Sequence, residues 1–224
     1  MKIALLMDHN SYSGREYLKN LKKIKIDVVT FGNNSEFDKM EYERCSTYWR
    51  PPKIEEFNSF FKFYNFNSLN DKHFLKHLKN NNYDLGIQGG TGILKMNVIS
   101  LFSIGIVNFH PGDLPFYRGC SAPEWQLFED KDIICTAHLI DAGIDSGPII
   151  IKKKLSVNMN SYYSFRASIY PRISEFLSEL INKAIEDKSI FENLENQNEK
   201  QAIYRKYIGD EIISKLKERL DEKI

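Results

Sequence analysis

The chain has 224 residues, 42% of them hydrophobic and 27% charged, and its 31 basic and 30 acidic side chains leave a net charge of +1. This composition is typical of one globular domain, or of one domain with a small addition, and argues against a disordered protein. The near-zero charge gives no indication of the basic face that nucleic-acid binders carry, so we expect no nucleic-acid partner.

The chain also lacks the signals of membrane insertion and export. No apolar run approaches the roughly 20 residues of a membrane span, and the apolar start turns polar too early for a signal peptide. The three cysteines, Cys45, Cys120 and Cys135, are scattered without the spacing of a disulfide framework or a zinc site. That usage is typical of a reducing compartment, so we expect a cytoplasmic protein that does not associate with membranes.

The start of the chain predicts a βαβ unit. A short apolar run at residues 2–7 predicts a strand buried on both faces, and residues 15–23 and 26–31 predict a helix and a second strand. Such units build parallel sheets with right-handed crossovers. Residues 36–70 are aromatic and irregular, with two adjacent prolines that break any helix.

Helices and strands continue to alternate up to residue 155. The predicted elements are helices at 71–80, 95–102 and 121–129, and strands at 83–87, 104–109, 135–141 and 149–155. Beyond Ser161 the chain becomes helical, with apolar stripes over 170–188 and 209–223 separated by a linker-like polar stretch at 192–200. The pattern predicts an α/β protein with a mostly parallel sheet over residues 1–155 and a small helical C-terminal region over residues 156–224.

The densest group of reactive side chains follows the strand predicted at 104–109. Asn108 and His110 are two residues apart in an extended segment, so their side chains point to the same face. Open α/β sheets bind ligands at the carboxyl ends of their strands. An imidazole can exchange a proton near neutral pH, and an amide N–H can hold a developing oxyanion. On local evidence alone, a histidine before a proline is more often a loop residue.

A second candidate group lies in the loop between the last two predicted strands. Asp141 and Asp145 stand in a glycine-rich stretch that ends at Gly147. Either carboxylate could orient His110 or exchange protons with it, because neighbouring strand ends converge in space. The same residues also suit a plain β-turn in which aspartate forms the turn.

Three weaker patterns have structural interpretations as well. The turn at 89–92 resembles a phosphate-binding loop but lacks the complete glycine pattern and the lysine, so a tight turn is favoured. His9 and Asn10 follow the first strand and are either ligand contacts or turn residues. His73 and His77 have a metal-binding spacing without a further ligand pattern, so a solvated helix face is favoured and no metal site is predicted.

Taken in order, three motifs resemble those of the formyltransferase family, whose members transfer a formyl group from 10-formyltetrahydrofolate to amines. The motifs are Asn108-x-His110-Pro111, Leu114-Pro115-x-Tyr117-Arg118-Gly119 and Asp141-x-Gly143-x-Asp145-x-Gly147-x-Ile149. The resemblance implies a Rossmann-like formyltransferase fold over residues 1–155. It also implies an enzyme that uses the folate formyl donor and needs no metal.

The resemblance assigns roles to individual side chains. Asn108, His110 and Asp145 match the catalytic trio of the family, and Asp145 fits its loop pattern better than Asp141 does. His110 would accept the proton of the attacking amine, and Asn108 would bind the oxyanion. Asp145 would set the charge and orientation of His110 and help to relay protons. The folate pocket is expected to involve Thr91, Gly92, Ile93, Leu94, Ile140, Asp141, Gly143 and Asp145.

Within the family, three sequence features indicate which acceptor this chain uses: the C-terminal region, the net charge and the turn after the first strand. Methionyl-tRNA enzymes normally have a C-terminal β-barrel domain, whereas here a short, mostly helical region follows and the chain is not basic. Glycinamide ribonucleotide enzymes have a phosphate-binding Gly-Ser-Asn after the first strand, a pattern missing from residues 10–14. Residues 202–207 and the helix after them resemble the sugar N-formyltransferases, which are commonly homodimers.

The expected function is therefore formylation of an amino sugar carried on a nucleoside diphosphate, in the synthesis of surface glycans such as lipopolysaccharide O-antigen. The residues expected to contact this acceptor are His9, Asn10, Tyr12, Arg118 and Trp125. One alternative is glycinamide ribonucleotide formylation in purine synthesis, and another is a non-catalytic folate or nucleotide binding protein. An NAD-dependent oxidoreductase is disfavoured because the first strand is not followed by the glycine fingerprint.

Overall fold

The computed structural model describes residues 1–32, 43, 45 and 48–221. The strands are β1 (Ile3–Asp8), β2 (Asp27–Phe31), β3 (Lys62–Phe66), β4 (Leu85–Gln88), β5 (Gly105–His110), β6 (Arg118–Gly119), β7 (Ile134–Leu139), β8 (Ile149–Lys154) and β9 (Tyr204–Arg205). The α-helices are α1 (Tyr12–Leu21), α2 (Lys72–Asn81), α3 (Met96–Ile99), α4 (Ala122–Phe128), α5 (Tyr162–Glu186) and α6 (Asp210–Asp221).

Seven of these strands form one sheet in the order β3-β2-β1-β4-β5-β7-β8. The pairs from β3 to β5 are parallel, and β7 and β8 continue the sheet in antiparallel pairs. The predicted α/β class with a mostly parallel sheet is therefore confirmed. The strand order changes direction between β1 and β4, and the carboxyl ends of strands beside such a switch point are where open sheets bind ligands.

The side chains of β1 are buried on both faces, as its apolar run predicts. Leu5 and Met7 belong to one core cluster with apolar residues of α1 and α5. Leu6 belongs to a second cluster with Phe74 of α2 and Val98 of α3. Helices therefore cover both faces of the sheet, and the carboxyl ends of the strands are left for a site.

The helix α5 begins after residue 155, where the catalytic domain is expected to end. Its apolar side, including Ile173 and Leu177, belongs to the same core cluster as β1. The division of the chain at residue 155 stays a prediction. Among the helices of the described ranges, none combines the length and the apolarity that crossing a bilayer requires.

Two predicted elements differ in the structure. The irregular stretch expected at 36–70 contains the strand β3, which pairs in parallel with β2; positions 36–42, 44, 46 and 47 of that stretch lie outside the described residues. The strand was hidden because it stands at the sheet edge, where none of its side chains is fully buried. The helix expected at 95–102 is also shorter, since only Met96–Ile99 form α3.

The polar stretch at 192–200, predicted as a linker, packs against the sheet, so that prediction is wrong. Ile149 of β8 donates its N–H to the oxygen of Glu195 at 2.9 Å, and the side chain of Gln197 is buried. Further on, β9 pairs in parallel with β6. Residues 192–207 are called the tail below. Its polarity reflects specific hydrogen bonds with the rest of the chain and not exposure to solvent alone.

Candidate active site

Asn108 and His110 lie at the carboxyl end of β5, between β4 and β7 in the sheet. Asn108 stands opposite His138 of β7 in the antiparallel register. The loop between β7 and β8, residues 141–147, brings Asp145 to the same place and is called the catalytic loop below. The structure thus brings together the three residues of the predicted trio, and it adds His138, which the sequence motifs do not single out.

The ring of His110 is buried, and both of its nitrogens have a partner. Nε2 donates to the main-chain oxygen of Tyr117 at 2.6 Å, since a carbonyl oxygen can only accept. Nδ1 lies 3.4 Å from Oδ1 of Asp145. This hydrogen-bond network assigns the proton of the neutral ring to Nε2. Nδ1 is therefore the nitrogen that gains or loses a proton, and it faces a carboxylate.

Gly112 provides the space for this arrangement. A Cβ at this position would lie 2.6 Å from Nε2 of His110 and 2.7 Å from the oxygen of Tyr117. The second of these atoms belongs to the main chain and cannot turn away as a flexible side chain would. Any larger residue at 112 would therefore push Nε2 of His110 away from the oxygen of Tyr117 and break the hydrogen bond that fixes the ring.

Asp145 has a left-handed backbone conformation with φ of 51°, which few residues other than glycine, asparagine and aspartate adopt. Its Oδ2 accepts the N–H of Gly119 at 2.9 Å. Its Oδ1 faces Nδ1 of His110 and lies 3.8 Å from Nε2 of His138. One oxygen of the carboxylate is thus fixed to the main chain, and the other is directed at the two imidazoles.

His138 sets the orientation of the Asn108 amide. Burial lowers the pKa of His138 to about 4, and the nearby His110 lowers it too, while Asp145 acts in the opposite direction. His138 is therefore neutral at pH 7, with Nδ1 donating to the oxygen of Leu139 at 2.9 Å. Its Nε2 then accepts from Nδ2 of Asn108 at 3.3 Å. The second N–H of this amide is left for a ligand oxygen.

Because His138 is buried in its neutral form, it makes folding sensitive to acid. The folded-state pKa of about 4 lies below the ordinary value of 6.5, so its contribution to stability is complete above pH 6.5 and declines as the pH falls towards 4. Between pH 7 and pH 5 we expect the wild-type protein to lose about 1 to 2 kcal/mol more unfolding free energy than His138→Gln. Urea titrations of both proteins at the two pH values measure this difference, and equal losses would contradict it.

A pocket of about 200 Å³ opens next to these residues. Its lining comprises Gln88, Gly92, Ile93, Leu94, Asn108, His138, Ile140, Asp141, Gly143, Ile144 and Asp145. The lining includes each residue expected to bind the folate except Thr91. Gln88, at the end of β4, was not predicted, although its place at a strand end beside the switch point was a signal that could have found it.

The rim and the floor of this pocket differ in character. Ile93 and Ile144 stand at the rim with 76% and 54% of their surface exposed, which is unusual for isoleucine. Gln88 donates from Nε2 to the oxygen of Gly92 at 2.8 Å, which fixes one wall. An apolar rim over a polar floor suits a flat ring system with polar edges.

Asp141 has a structural contact that distinguishes it from Asp145. Its Oδ1 accepts the N–H of Gly143 at 3.0 Å and the hydroxyl of Ser146 at 2.6 Å. These bonds close a turn inside the catalytic loop, as aspartate often does. The two carboxylates that the sequence left as alternatives therefore have different surroundings, and only Asp145 contacts His110.

Three of the residues expected to bind the acceptor follow β1. The turn that holds them lies beside the turn at 89–92, since Asp8 donates its N–H to the oxygen of Gly90 at 3.3 Å. His9 and Asn10 are half-buried, and Tyr12 is buried with its ring 5.9 Å from Trp49 in an edge-on contact. The lining of the 200 Å³ pocket does not include these three described residues.

The other two residues expected to bind the acceptor contact the tail. Arg118 is fully buried, and its guanidinium donates to Gln197, Glu199 and Tyr204. Trp125 of α4 donates its indole N–H to the oxygen of Lys206 at 2.9 Å. Contact of these side chains with an acceptor stays a prediction, and both have a partner in the tail.

The histidine pair of α2 takes part in a different network. Nε2 of His77 lies 3.0 Å from the hydroxyl of Tyr83, which itself donates to Asp27 at 2.7 Å. His73 is exposed on the same helix. Within the part of the chain that the structure describes, no group of three or more His, Cys, Asp and Glu side chains is arranged to hold a metal ion.

A sequence model of the formyl transferase family matches residues 1–185. The match covers most of the chain, so this protein belongs to the formyl transferase family. The methionyl-tRNA formyltransferase of Caldanaerobacter subterraneus subsp. tengcongensis is 28% identical over 146 residues, which are 64% of this chain and 46% of that protein. The chain spans less than half the length of such curated relatives.

Solved structures share the fold over a larger part of the chain. An N-formyltransferase from Helicobacter canadensis, in complex with folinic acid and dTDP-3-aminofucose, has a TM-score of 0.63 at 17% identity and covers 92% of this chain and 70% of its own. Phosphoribosylglycinamide formyltransferase from Streptococcus pneumoniae TIGR4 has a TM-score of 0.61 at 17% identity and covers 82% of this chain and 98% of its own. Together they confirm the predicted formyltransferase fold.

Proposed function

We propose that this protein transfers a formyl group from 10-formyltetrahydrofolate to the amine of a nucleotide-linked amino sugar. The observation that carries formyl transfer is the meeting of Asn108, His110 and Asp145 beside one pocket that is lined by residues of β4, β5 and β7. A protein that only binds a folate or a nucleotide would not need a base, a charged partner and an amide donor together. Membership of the formyl transferase family supports the same chemistry.

The pocket suits the fused ring of a folate. Its volume of about 200 Å³ is below the roughly 300–1,000 Å³ of a site that encloses a whole drug-sized ligand, so it would take one ring system and leave the rest outside. The exposed Ile93 and Ile144 would cover the ring faces. The main chain of Gly92 and of the catalytic loop would meet the polar ring edge. A structural neighbour with folinic acid bound supports this choice of donor.

His110 would accept the proton that the acceptor amine loses. When bound, 10-formyltetrahydrofolate supplies the activated formyl group, which forms a C–N bond to the amine as its bond to the folate nitrogen breaks. Nδ1 of His110 is the unprotonated nitrogen of the neutral ring, and Asp145 at 3.4 Å would stabilise the imidazolium that results. The same nitrogen would return the proton to the departing folate nitrogen, so the proton count balances.

Asn108 would bind the formyl oxygen as negative charge develops on it. One N–H of its amide is held by the neutral His138, so the other is directed in advance and need not reorganise during the reaction. The structure thus supports two separate tasks for the two residues of β5: a proton acceptor at His110 and an oxyanion donor at Asn108.

The extent of the shared fold favours an amino sugar nucleotide over glycinamide ribonucleotide as the acceptor. The fold of the enzyme with a bound dTDP-amino sugar covers 92% of this chain, whereas that of the phosphoribosylglycinamide enzyme covers 82% while using 98% of its own length. The second enzyme therefore has no counterpart for part of this chain. We further propose a homodimer in the cytoplasm that serves surface-glycan synthesis, which size-exclusion chromatography with light scattering and gene neighbourhood would test.

The acceptor can be identified by a direct screen. Purified protein with 10-formyltetrahydrofolate would be given nucleotide-linked 3-amino and 4-amino deoxysugars, glycinamide ribonucleotide and methionyl-tRNA in parallel, with formylated product detected by mass spectrometry. We expect product from an amino sugar nucleotide alone. Turnover of only the ribonucleotide or only the tRNA would contradict the sugar assignment. Folate binding without turnover of any acceptor would favour the non-catalytic alternative.

A further inference from the structure

The tail contacts the catalytic loop through one buried glutamine. Nε2 of Gln197 donates to the main-chain oxygens of Asp145 and Gly147, both at 2.8 Å. These two carbonyls flank Ser146 in the catalytic loop. A single side chain from the tail, which is not among the residues lining the 200 Å³ pocket, therefore holds the main chain of Asp145.

The other end of Gln197 is fixed as firmly. Its Oε1 accepts from Nε and Nη2 of Arg118 at 3.0 and 2.8 Å. The guanidinium of Arg118 also makes two bonds to the carboxylate of Glu199, at 3.0 and 2.6 Å. Since Oε1 must accept from Arg118, the amide cannot flip, and its NH2 group is directed at the loop.

The tail also fixes the main-chain N–H of Gly119, which is the partner of the Asp145 carboxylate. Gly119, whose N–H binds Oδ2 of Asp145, follows Arg118 in β6. The N–H of Arg118 donates to Ile203 at 3.0 Å and that of Cys120 to Arg205 at 2.9 Å. The tail therefore sets the position of the loop main chain and also that of the N–H that orients its carboxylate.

We propose that Gln197 is a positioning residue for formyl transfer: from the tail, it holds the catalytic loop in the conformation in which the carboxylate of Asp145 faces His110. The tail lies beyond the residues 1–185 that the family model matches. The proposal rests on the proposed role of Asp145 and is independent of which acceptor is used.

Two substitutions distinguish the hydrogen bonds that Gln197 makes to the catalytic loop from those that it makes to Arg118. Gln197→Glu keeps an acceptor for Arg118 but removes the donors to the loop, and Gln197→Met keeps the length of the side chain but removes all four bonds. Gln201→Glu and Gln201→Met are matched controls, because Gln201 is an exposed glutamine of the same segment. We expect both changes at 197 to lower kcat by at least about 10-fold and to leave the KM values for donor and acceptor within about 2-fold of wild type. A modest misplacement of the Asp145 carboxylate is enough for a loss of this size, and it does not alter substrate binding.

The pH profile tests positioning as opposed to folding. In Gln197→Met we expect the pH profile of kcat to differ from that of the wild type, because the carboxylate that faces His110 would no longer be held in place. The groups that face this ring are Asp145 and His138. A loss of melting temperature alone, with kcat and pH profile unchanged well below that temperature, would overturn the proposal. So would full activity in Gln197→Glu with a loss in Gln197→Met, since the loop bonds would then not matter.

An NMR measurement needs no acceptor. The ring cross-peak of His110, assigned through His110→Gln, should shift in both Gln197 variants and stay in place in both Gln201 variants. An unshifted peak in the Gln197 variants would refute the positioning role. If that peak shifts but Asp145→Asn retains full turnover, the positioning contact stands and the proposed function of Asp145 fails, so the two results are distinguishable.

Discussion

His110→Ala is expected to lower kcat for formyl transfer by about 100- to 10,000-fold, the range that a positioned general base contributes. The variant loses Nδ1, the atom that faces Asp145, and it loses the bond of Nε2 to the oxygen of Tyr117. Steady-state kinetics with saturating donor and acceptor measure the effect. Circular dichroism and a thermal melt check that the variant is folded.

His73→Ala is the matched control, because His73 is exposed on α2 and contacts none of the site residues named above. It should retain wild-type kcat.

Asn108→Ala removes the amide donor and is expected to lower kcat by about 100- to 1,000-fold, as loss of one oxyanion donor does. Near-normal turnover by either His110→Ala or Asn108→Ala would remove the catalytic assignment.

Asp145→Asn is expected to lower kcat by about 100-fold or more, whereas Asp141→Asn should change it by less than about 3-fold. Asparagine tolerates the left-handed conformation at 145, and its amide oxygen can still accept the N–H of Gly119, so the change removes mainly the charge beside His110. Asparagine at 141 keeps an oxygen for Gly143 and Ser146, so the turn survives.

The ranking of these two variants is the informative result. They make the same chemical change in one loop, four residues apart, so a general weakening of the loop would affect both. A greater loss in Asp141→Asn would mean that the turn, and not the charge at 145, governs the reaction. Equal losses would mean that the loop acts as a whole and that neither carboxylate is specifically coupled to the imidazole.

Local patterns in the sequence were sufficient to predict the position of β5 and to identify its two reactive side chains. An apolar run followed by an alternating polar pair defines a strand end, and the period of two places Asn108 and His110 on one face. The residues expected from the family resemblance to bind the folate line one pocket, all but Thr91 among them, and their contact with a folate stays a prediction. The edge strand β3 was missed because half-exposed aromatic residues give no clear period.

Contacts between segments that are far apart in the chain could not be predicted from local sequence patterns. His138 faces Asn108 only because β7 pairs antiparallel with β5, in a register that the sequence does not specify. Gln197 stands in a polar stretch that is typical of a linker, and nothing local distinguishes it from the exposed glutamine at 201. Arg118 was expected to contact the acceptor because its segment lies near the site in the sugar N-formyltransferases that the chain resembles, yet its guanidinium donates to Gln197 and Glu199 of the tail.

The bond between Arg118 and Gln197 joins positions 79 residues apart, and both side chains are buried, so the loss of either partner would leave the other with an unmade hydrogen bond. During the divergence of chains with this fold, the two positions are therefore expected to change together or not at all. A chimaera that received the tail of another formyl transferase would have to inherit residue 118 along with residue 197. Grafting the tail alone would replace one surface of the protein and at the same time disturb the aspartate on which its chemistry depends.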